Sequence, residues 1–202
     1  MTTSMDAGKL LTYLDSNGIS GANQVTRGWE HLGAVIVDAA LQRRQRYKAT
    51  VEPRVRALIE AWPDAATSSG FRARIESENL SAVIRWKSAD RLHQIDEILS
   101  VFESKNINTV SDLRTWLASS PGRLELRSAL RRVKHVGPKT LDYFDILVGR
   151  FDSVAIDTKI RKVAAKAGII NHAYGHLAAV VHEAAAMRGW RPGDLDAALW
   201  NA

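Results

Sequence analysis

The sequence predicts an all-α protein, and three observations lead to that prediction. Only five prolines and thirteen glycines occur in 202 residues, so long stretches are free to form helix. Apolar residues recur at intervals of three or four, which places them on one face of a helix. Alternating apolar and polar residues, the pattern of half-buried strands, are nearly absent. About ten helices are therefore expected.

The apolar stripes locate the main helices in chain order. They run through residues 32–41, 51–62, 90–103, 124–133, 141–148, 160–167 and 177–187. Helix boundaries are marked by glycine and proline at 18, 62–64, 120–122, 137–138, 149, 168 and 191–193. Ser111 is suited to an N-cap and Pro121 to a first helical turn.

The stripe in residues 90–103 is the clearest of them. Leu92, Ile95, Leu99 and Phe102 recur at helical spacing, and Arg91 lies between them with other charged residues. This arrangement predicts an amphipathic helix that buries the apolar residues and leaves Arg91 on the polar side.

Composition and charge exclude several classes of protein. The chain has no cysteine, so disulfides, thiolate zinc sites, Cys-ligated iron–sulfur clusters and cysteine nucleophiles are excluded. The histidines and carboxylates do not follow the spacing of metal ligands, so neither a metal nor a cofactor is predicted. No apolar run reaches the roughly 18 residues of a membrane span, and we expect a soluble, cytoplasmic protein. A formal charge of +6, from 28 Lys and Arg against 22 Asp and Glu, favours a polyanionic partner.

A candidate nucleic-acid-binding turn lies between two amphipathic segments, at residues 133–140, VKHVGPKT. Gly137 is available for positive φ, and Pro138 is preset for the start of the next helix. The pattern indicates a helix-hairpin-helix, whose second helix opens with unpartnered N–H groups that can hold a phosphate. The alternative is an ordinary pair of antiparallel helices without a ligand.

A candidate catalytic pair follows from the spacing beyond this turn. Asp157 lies 157 − 139 = 18 residues after Lys139 and ends an apolar, extended approach to another helix. Asp157 alone is explained as an N-cap. A lysine and an aspartate at the openings of two helices, joined by such a segment, would also face the same space.

These two elements resemble the helix-hairpin-helix DNA glycosylases of the Gly-Pro-Asp superfamily. The family hairpin reads approximately Leu-Pro-Gly-Val-Gly-x-Lys-Thr-Ala, and its catalytic segment reads Val-Asp-Thr-His-Val about 18 residues beyond the lysine; this chain has residues 133–141 and 156–160 there. Residues 38–45 resemble the segment with which members probe the DNA, and residues 194–200 resemble the closing helix. The likeness extends over about residues 33–200.

The resemblance implies a two-lobed, all-α glycosylase fold. Residues 33–151 would form a helical barrel that ends in the hairpin, at about 124–149. Residues 1–32 and 152–202 would form the second lobe from both termini. The cleft between the lobes would hold Lys139 and Asp157.

The resemblance also implies a reaction and a partner. Lys139 would attack the sugar and form a Schiff base, after deprotonation, and Asp157 would stabilise the sugar cation. The DNA-binding residues would be Gln42, Arg43, His135, Val136, Gly137, Thr140, Lys159 and Arg161. The partner would be double-stranded DNA carrying a damaged or modified base, bound by a monomer that is associated with the nucleoid if bacterial.

Departures from the family pattern keep other functions open. His135 replaces the first hairpin glycine, Lys159 replaces a histidine, and the segment around Gln42 is more basic than the pattern. The alternatives are a monofunctional glycosylase with an Asp157-activated water, a non-catalytic DNA-binding module in which Lys139 only holds a phosphate, and a metal-dependent nuclease. Trp86, between two cations, is a candidate for a base pocket. Oxidised purines, oxidised pyrimidines and modified bases of foreign DNA are all candidate substrates.

Overall fold

The computed structural model describes residues 2–19 and 28–201. These residues form twelve α-helices, one π-helical turn at Tyr47–Val51 and one 3₁₀ turn at Pro63–Ala66, with no strand among them. The all-α prediction is confirmed. The helices are α1 (Thr3–Ser16), α2 (Leu32–Leu41), α3 (Glu52–Ala61), α4 (Ser68–Ser77), α5 (Leu80–Val83), α6 (Ala89–Ser104), α7 (Val110–Ala118), α8 (Ser120–Leu130), α9 (Pro138–Leu147), α10 (Thr158–Lys166), α11 (Tyr174–Arg188) and α12 (Pro192–Asn201). Across the ranges described, none combines the length and apolar character of a membrane-crossing helix.

The chain divides into two compact units. One comprises Met1–Arg27 with Pro138–Ala202, and the other comprises Gly28–Gly137. The boundary therefore falls inside the hairpin, before α9, whereas the sequence-based division was drawn after residue 151. We call them the terminal unit and the middle unit.

Helix α2 is the central element of the middle unit. All ten of its residues are buried, because α3, α4, α6 and the 3₁₀ turn pack around it. His31 caps its start: Nδ1 accepts from Ala34 N at 3.1 Å, while Nε2 lies 3.0 Å from the Trp62 carbonyl oxygen, to which it donates. This arrangement requires a neutral imidazole, and burial lowers the pKa of His31.

Helix α6 forms where the apolar stripe predicted it, but its buried face is rotated. Arg91 and Gln94 are buried with Ile95, whereas Leu92 is only half-buried. The placement of Arg91 on the polar side is therefore wrong. Residues 91, 95, 98 and 102 also follow helical spacing, so the sequence allows two neighbouring faces and the helices packed against α6 decide between them.

Helix α7 begins earlier than predicted. Thr109, not Ser111, is its N-cap: the Thr109 hydroxyl accepts from Asp112 N at 3.1 Å, and the Asp112 carboxylate accepts from Thr109 N at 2.8 Å. This reciprocal capping box satisfies two helix-end groups at once, which a cap at Ser111 would not do. Pro121 lies in the first turn of α8, as predicted.

The terminal unit contains α1 and α9 to α12. Its core joins the apolar faces of α1, α10, α11 and α12 with two residues of an irregular buried segment, Val154 and Ile156. Helix α12 holds that segment through two hydrogen bonds. Gly193 N donates to Phe151 O at 2.8 Å, and the buried Asp196 carboxylate accepts from Ala155 N at 3.2 Å. The approach to Asp157 is therefore supported by a helix and not by a neighbouring strand.

We predict that the His31 cap makes stability pH-dependent. Because the pKa of His31 is lowered on folding, its contribution is fully present above the unfolded value of 6.5 and declines as the pH falls below it. Urea unfolding from pH 8 to 5 should show a smaller loss for His31→Asn, since asparagine caps without titrating. His182→Asn, at an exposed histidine of α11, should behave like wild type; equal slopes for all three proteins would contradict the prediction.

We also predict that Gly193 is required by close packing. A Cβ there would lie 3.0 Å from Phe151 O and 3.1 Å from Phe151 Cα, so Gly193→Ala should destabilise the protein by about 1–3 kcal/mol. The matched control is Gly175→Ala in the first turn of α11, where a Cβ meets nothing within 4 Å. That variant should be neutral or more stable by up to about 1 kcal/mol in urea unfolding. Similar losses in both would exclude the packing explanation.

Candidate functional site

The hairpin turn of the middle unit places its backbone strain at His135. Val136 N donates to Val133 O at 3.1 Å, and His135 has φ +70°. Gly137 does not adopt positive φ, so the expectation for that glycine is wrong. A turn with positive φ at its third residue favours glycine or asparagine. Histidine therefore occupies the position where glycine would be less strained.

The turn contacts residues 43–46, which follow α2 and which we call the basic segment. The exposed Arg43 guanidinium donates to Nδ1 of His135 at 3.1 Å, across 92 residues of sequence. Gln42 is the half-buried C-cap residue of α2. Two predicted DNA-binding residues, Arg43 and His135, are thus brought together within one unit.

The fully buried Asp38 carboxylate connects the residues before α2 to the end of this basic segment. Its Oδ2 accepts from Trp29 Nε1 and from Tyr47 Oη, each at 2.8 Å. Asp38 lies on α2, just before Gln42, and Tyr47 begins the π-helical turn after the segment. The intervening residues 43–46 are exposed. The basic segment is therefore held at one end by α2 and at the other by the bond from Tyr47 to Asp38, while its side chains face solvent.

Positive charge surrounds the His135 ring. Burial lowers the pKa of His135, and the positive charges of Arg43, Lys134 and Arg91 lower it further, while Asp90 acts in the opposite direction. Lys134 donates to Asp90 at 3.2 Å. A low pKa agrees with the geometry, because Nδ1 can accept from Arg43 only when the imidazole is neutral.

Lys139 and Thr140 lie in the first turn of α9 in the terminal unit, and both are half-buried. The Lys139 ammonium is 5.8 Å from the centroid of the Tyr143 ring, one helical turn ahead. This is a cation–π distance.

Asp157 is the N-cap of α10, as its position after the extended segment predicted. Oδ1 accepts from Ile160 N at 2.9 Å. Oδ2 accepts from the indole nitrogen of Trp200, on α12, at 3.2 Å. Two donors therefore fix the carboxylate, and it remains half-exposed.

The two predicted DNA-binding cations of α10 already contact carbonyl oxygens of the terminal unit. Lys159 Nζ donates to Trp200 O at 2.7 Å and lies 4.7 Å from the centroid of that indole ring. Arg161 donates to His172 O. Both side chains thus have a structural role, and their DNA-binding role stays a prediction.

The unit boundary changes how the candidate residues are grouped. The terminal unit contains five of the candidate residues: Lys139, Thr140, Asp157, Lys159 and Arg161. The middle unit contains the other five: Gln42, Arg43, His135, Val136 and Gly137. The sequence-based domains separated Lys139 from Asp157.

The two remaining residues of the hairpin turn differ in burial. The Val136 side chain is buried and anchors the turn, whereas open space lies beside the Gly137 Cα.

Sequence reasoning missed two residues of these sites. Trp200 has no local signal, because its indole reaches Asp157 from 43 residues away. Arg91 has a local signal, because it stands at helical spacing from the buried apolar residues of α6.

Trp86, the candidate base-pocket residue, has the Arg54 guanidinium 5.4 Å from its ring centroid. Within the described ranges, no three His, Asp or Glu residues group together as a metal site would require.

We predict that His135→Gly stabilises the protein, because glycine adopts φ +70° without the steric cost that a Cβ imposes. The midpoint of thermal unfolding should rise by about 2–4 °C. Gly137→Ala is the matched comparison, since a Cβ there meets nothing within 4 Å and φ is not positive. Its midpoint should not fall. A lower midpoint for His135→Gly would show that the Arg43 contact outweighs the strain.

The comparisons with known proteins identify a family and no further relative. No curated protein and no solved structure matches the chain. The family described as "Domain of unknown function (DUF8548)" matches residues 13–202. Since this match covers nearly the whole chain, the protein belongs to the DUF8548 family.

Proposed function

We propose that this protein is a DNA glycosylase with associated lyase activity, which removes a damaged or modified base from double-stranded DNA. The observation that carries the proposal is the doubly held carboxylate of Asp157 at the start of α10. It lies in the same unit as Lys139, and the two residues have the spacing of the resembled family. A fixed and half-exposed carboxylate is suited to stabilising a sugar cation.

The reaction assigns one task to each residue. As the bond between the sugar and the base breaks, positive charge develops at C1′, and Asp157 stabilises it. The base leaves with a proton. The deprotonated Lys139 amine bonds to C1′, the C1′–O4′ bond breaks as the nitrogen gives a proton to O4′, and a protonated Schiff base remains. Loss of a C2′ proton to solvent then expels the 3′-phosphate by β-elimination, which breaks the C3′–O bond. Water hydrolyses the imine and restores the lysine.

DNA binding in this proposal rests on the hairpin and the basic segment after α2. The contact between Arg43 and His135 joins the two elements that would hold a distorted strand. A base in a duplex must be extruded before it can be cut, so contacts to the strand are needed on both sides of the target. We include in the proposal the two-lobed helix-hairpin-helix glycosylase fold, a monomeric enzyme and a cytoplasmic location, with nucleoid association in a bacterium.

Two observations support non-lyase alternatives. The Lys139 ammonium lies over the Tyr143 ring, which favours a charged lysine and so a monofunctional glycosylase that activates water through Asp157. Asp157 is also a complete N-cap, as expected in a DNA-binding module without catalysis. The experiment below separates these functions.

We predict that the protein can be trapped covalently on substrate DNA. A panel of duplexes, each with a single lesion, is incubated with protein and borohydride, and strand breaks are measured with and without alkali. Wild type should form a borohydride-stable complex on at least one lesion and cut it without alkali. Lys139→Ala should abolish the complex, and Asp157→Asn should slow base release by about 10²–10³-fold.

The controls separate chemistry from folding and charge. Lys166→Ala removes a positive charge from an exposed position of α10 and should trap like wild type. Asp157→Asn keeps an N-cap oxygen, so its thermal midpoint should stay near that of wild type. Undiminished trapping by Lys139→Ala would remove Lys139 from the nucleophile role. Abasic sites that break only in alkali would identify the monofunctional enzyme, and inactivity on every lesion would leave the binding module.

A further inference from the structure

Arg91 is a nearly buried cation without an acidic partner. Its relative exposure is 8%, and its guanidinium donates to Gln94 Oε1 at 2.8 Å. Among the described residues, no carboxylate lies within ion-pair distance of it. Arginine is rarely buried unless it is paired, because an uncompensated buried charge is strongly destabilising. Among the described residues, the Arg91 guanidinium therefore has no carboxylate paired with it directly.

The free donors of Arg91 can be reached from solvent. A guanidinium has five N–H donors, and one hydrogen bond to Gln94 leaves most of them for another ligand. None of its nitrogens is both sealed from solvent and lacking a hydrogen bond. The stem of the side chain is therefore packed in the middle unit, while the unbonded part of the head remains accessible.

Hydrogen bonds connect three further basic groups to the chain beside Arg91: Lys134 donates to Asp90, the residue before Arg91, at 3.2 Å, and Arg43 donates to His135, the residue after Lys134, at 3.1 Å. The charge of Arg43 lowers the pKa of Arg91, after burial, and Arg91 in turn acts on His135. Arg43 and His135 are hydrogen-bonded, and Lys134 precedes His135 in the turn. Asp90 is the acid that acts on this group, and Lys134 already pairs with it. Arg91, Arg43 and Lys134 thus contribute three permanent positive charges to this part of the middle unit, and Asp90 contributes one negative charge.

We propose that Arg91, Arg43, Lys134 and His135 form a binding site for one phosphate group. We call these four residues the Arg91 cluster. Guanidinium groups match two oxygens of a phosphate at once, and a second arginine and a lysine add charge-assisted donors. The carrier is a phosphodiester of DNA; this part of the inference rests on the proposed function. A free phosphate has the same chemistry and is a separate arm of the test.

The first arm measures binding of an undamaged duplex by fluorescence anisotropy between about 50 and 200 mM KCl. Arg91→Gln should weaken binding about 10-fold and reduce the slope of log K against log salt by about 1, because one phosphate contact is lost. The control is Arg114→Gln on α7, which removes the same charge where Glu30 already pairs with the guanidinium. It should bind within about twofold of wild type.

The second arm uses inorganic phosphate and thermal unfolding. Phosphate should raise the midpoint of wild type above that in sodium chloride of equal ionic strength, because a ligand of the folded state stabilises it. Arg91→Gln should show no such rise, while Arg114→Gln should show it. A rise in Arg91→Gln equal to that of wild type would overturn the site.

The third arm varies pH. Below its pKa, His135 gains a positive charge and its Nδ1 can no longer accept from Arg43, so an arginine donor is released toward the phosphate. The groups that act on His135 are Arg43, Lys134, Arg91 and Asp90. Because the pKa of His135 is lowered from 6.5, duplex binding should strengthen as the pH falls from 7 to 5 more in wild type than in His135→Asn, which tolerates positive φ without titrating. Equal pH dependence would remove His135 from the cluster.

The outcomes distinguish this inference from the proposed function. Duplex binding that depends on Arg91 without cleavage of any lesion would support the cluster and contradict the enzyme. Cleavage with duplex binding and phosphate stabilisation unchanged in Arg91→Gln would overturn the cluster and leave the enzyme. Phosphate stabilisation that depends on Arg91, with unchanged duplex binding, would overturn DNA as the carrier.

Discussion

Helix α12 holds the chain segment that leads to Asp157, and the geometry of the candidate site depends on that support. Gly193, Asp196 and Trp200 follow one another at helical spacing and contact Phe151, Ala155 and Asp157 in turn. The segment has no neighbouring strand, so its buried backbone groups need other partners, and α12 supplies them. The Asp157 carboxylate is thus oriented by Ile160 of its own helix and by Trp200 of α12, which lies 43 residues further along the chain.

The middle unit contains two features that cost stability, a strained backbone position and a buried cation without an acidic partner among the described residues. His135 adopts a backbone conformation that favours glycine, and Arg91 is buried without an acid. Such features lower the stability of the isolated protein. The contact between Arg43 and His135 places the strained turn beside the basic segment after α2.

The helices could be predicted because their periodicity is local. The stripe at 32–41 matches α2 at both ends, and the N-cap role of Asp157 followed from the apolar residues after it. Predictions failed where the local sequence fits two conformations or two helix faces about equally well. Either His135 or Gly137 could have taken positive φ, and either Arg91 or Leu92 could have faced the core. Each choice depends on residues distant in the chain.

The sequence by itself determined the all-α class, the main helices and the 18-residue interval between Lys139 and Asp157, because helix periodicity, end signals and spacing are properties of neighbouring residues. Only the tertiary structure decided that the unit boundary falls before α9, that Trp200 holds Asp157 and that Arg43 contacts His135. Those facts depend on packing between elements, which brings together side chains that no local pattern relates.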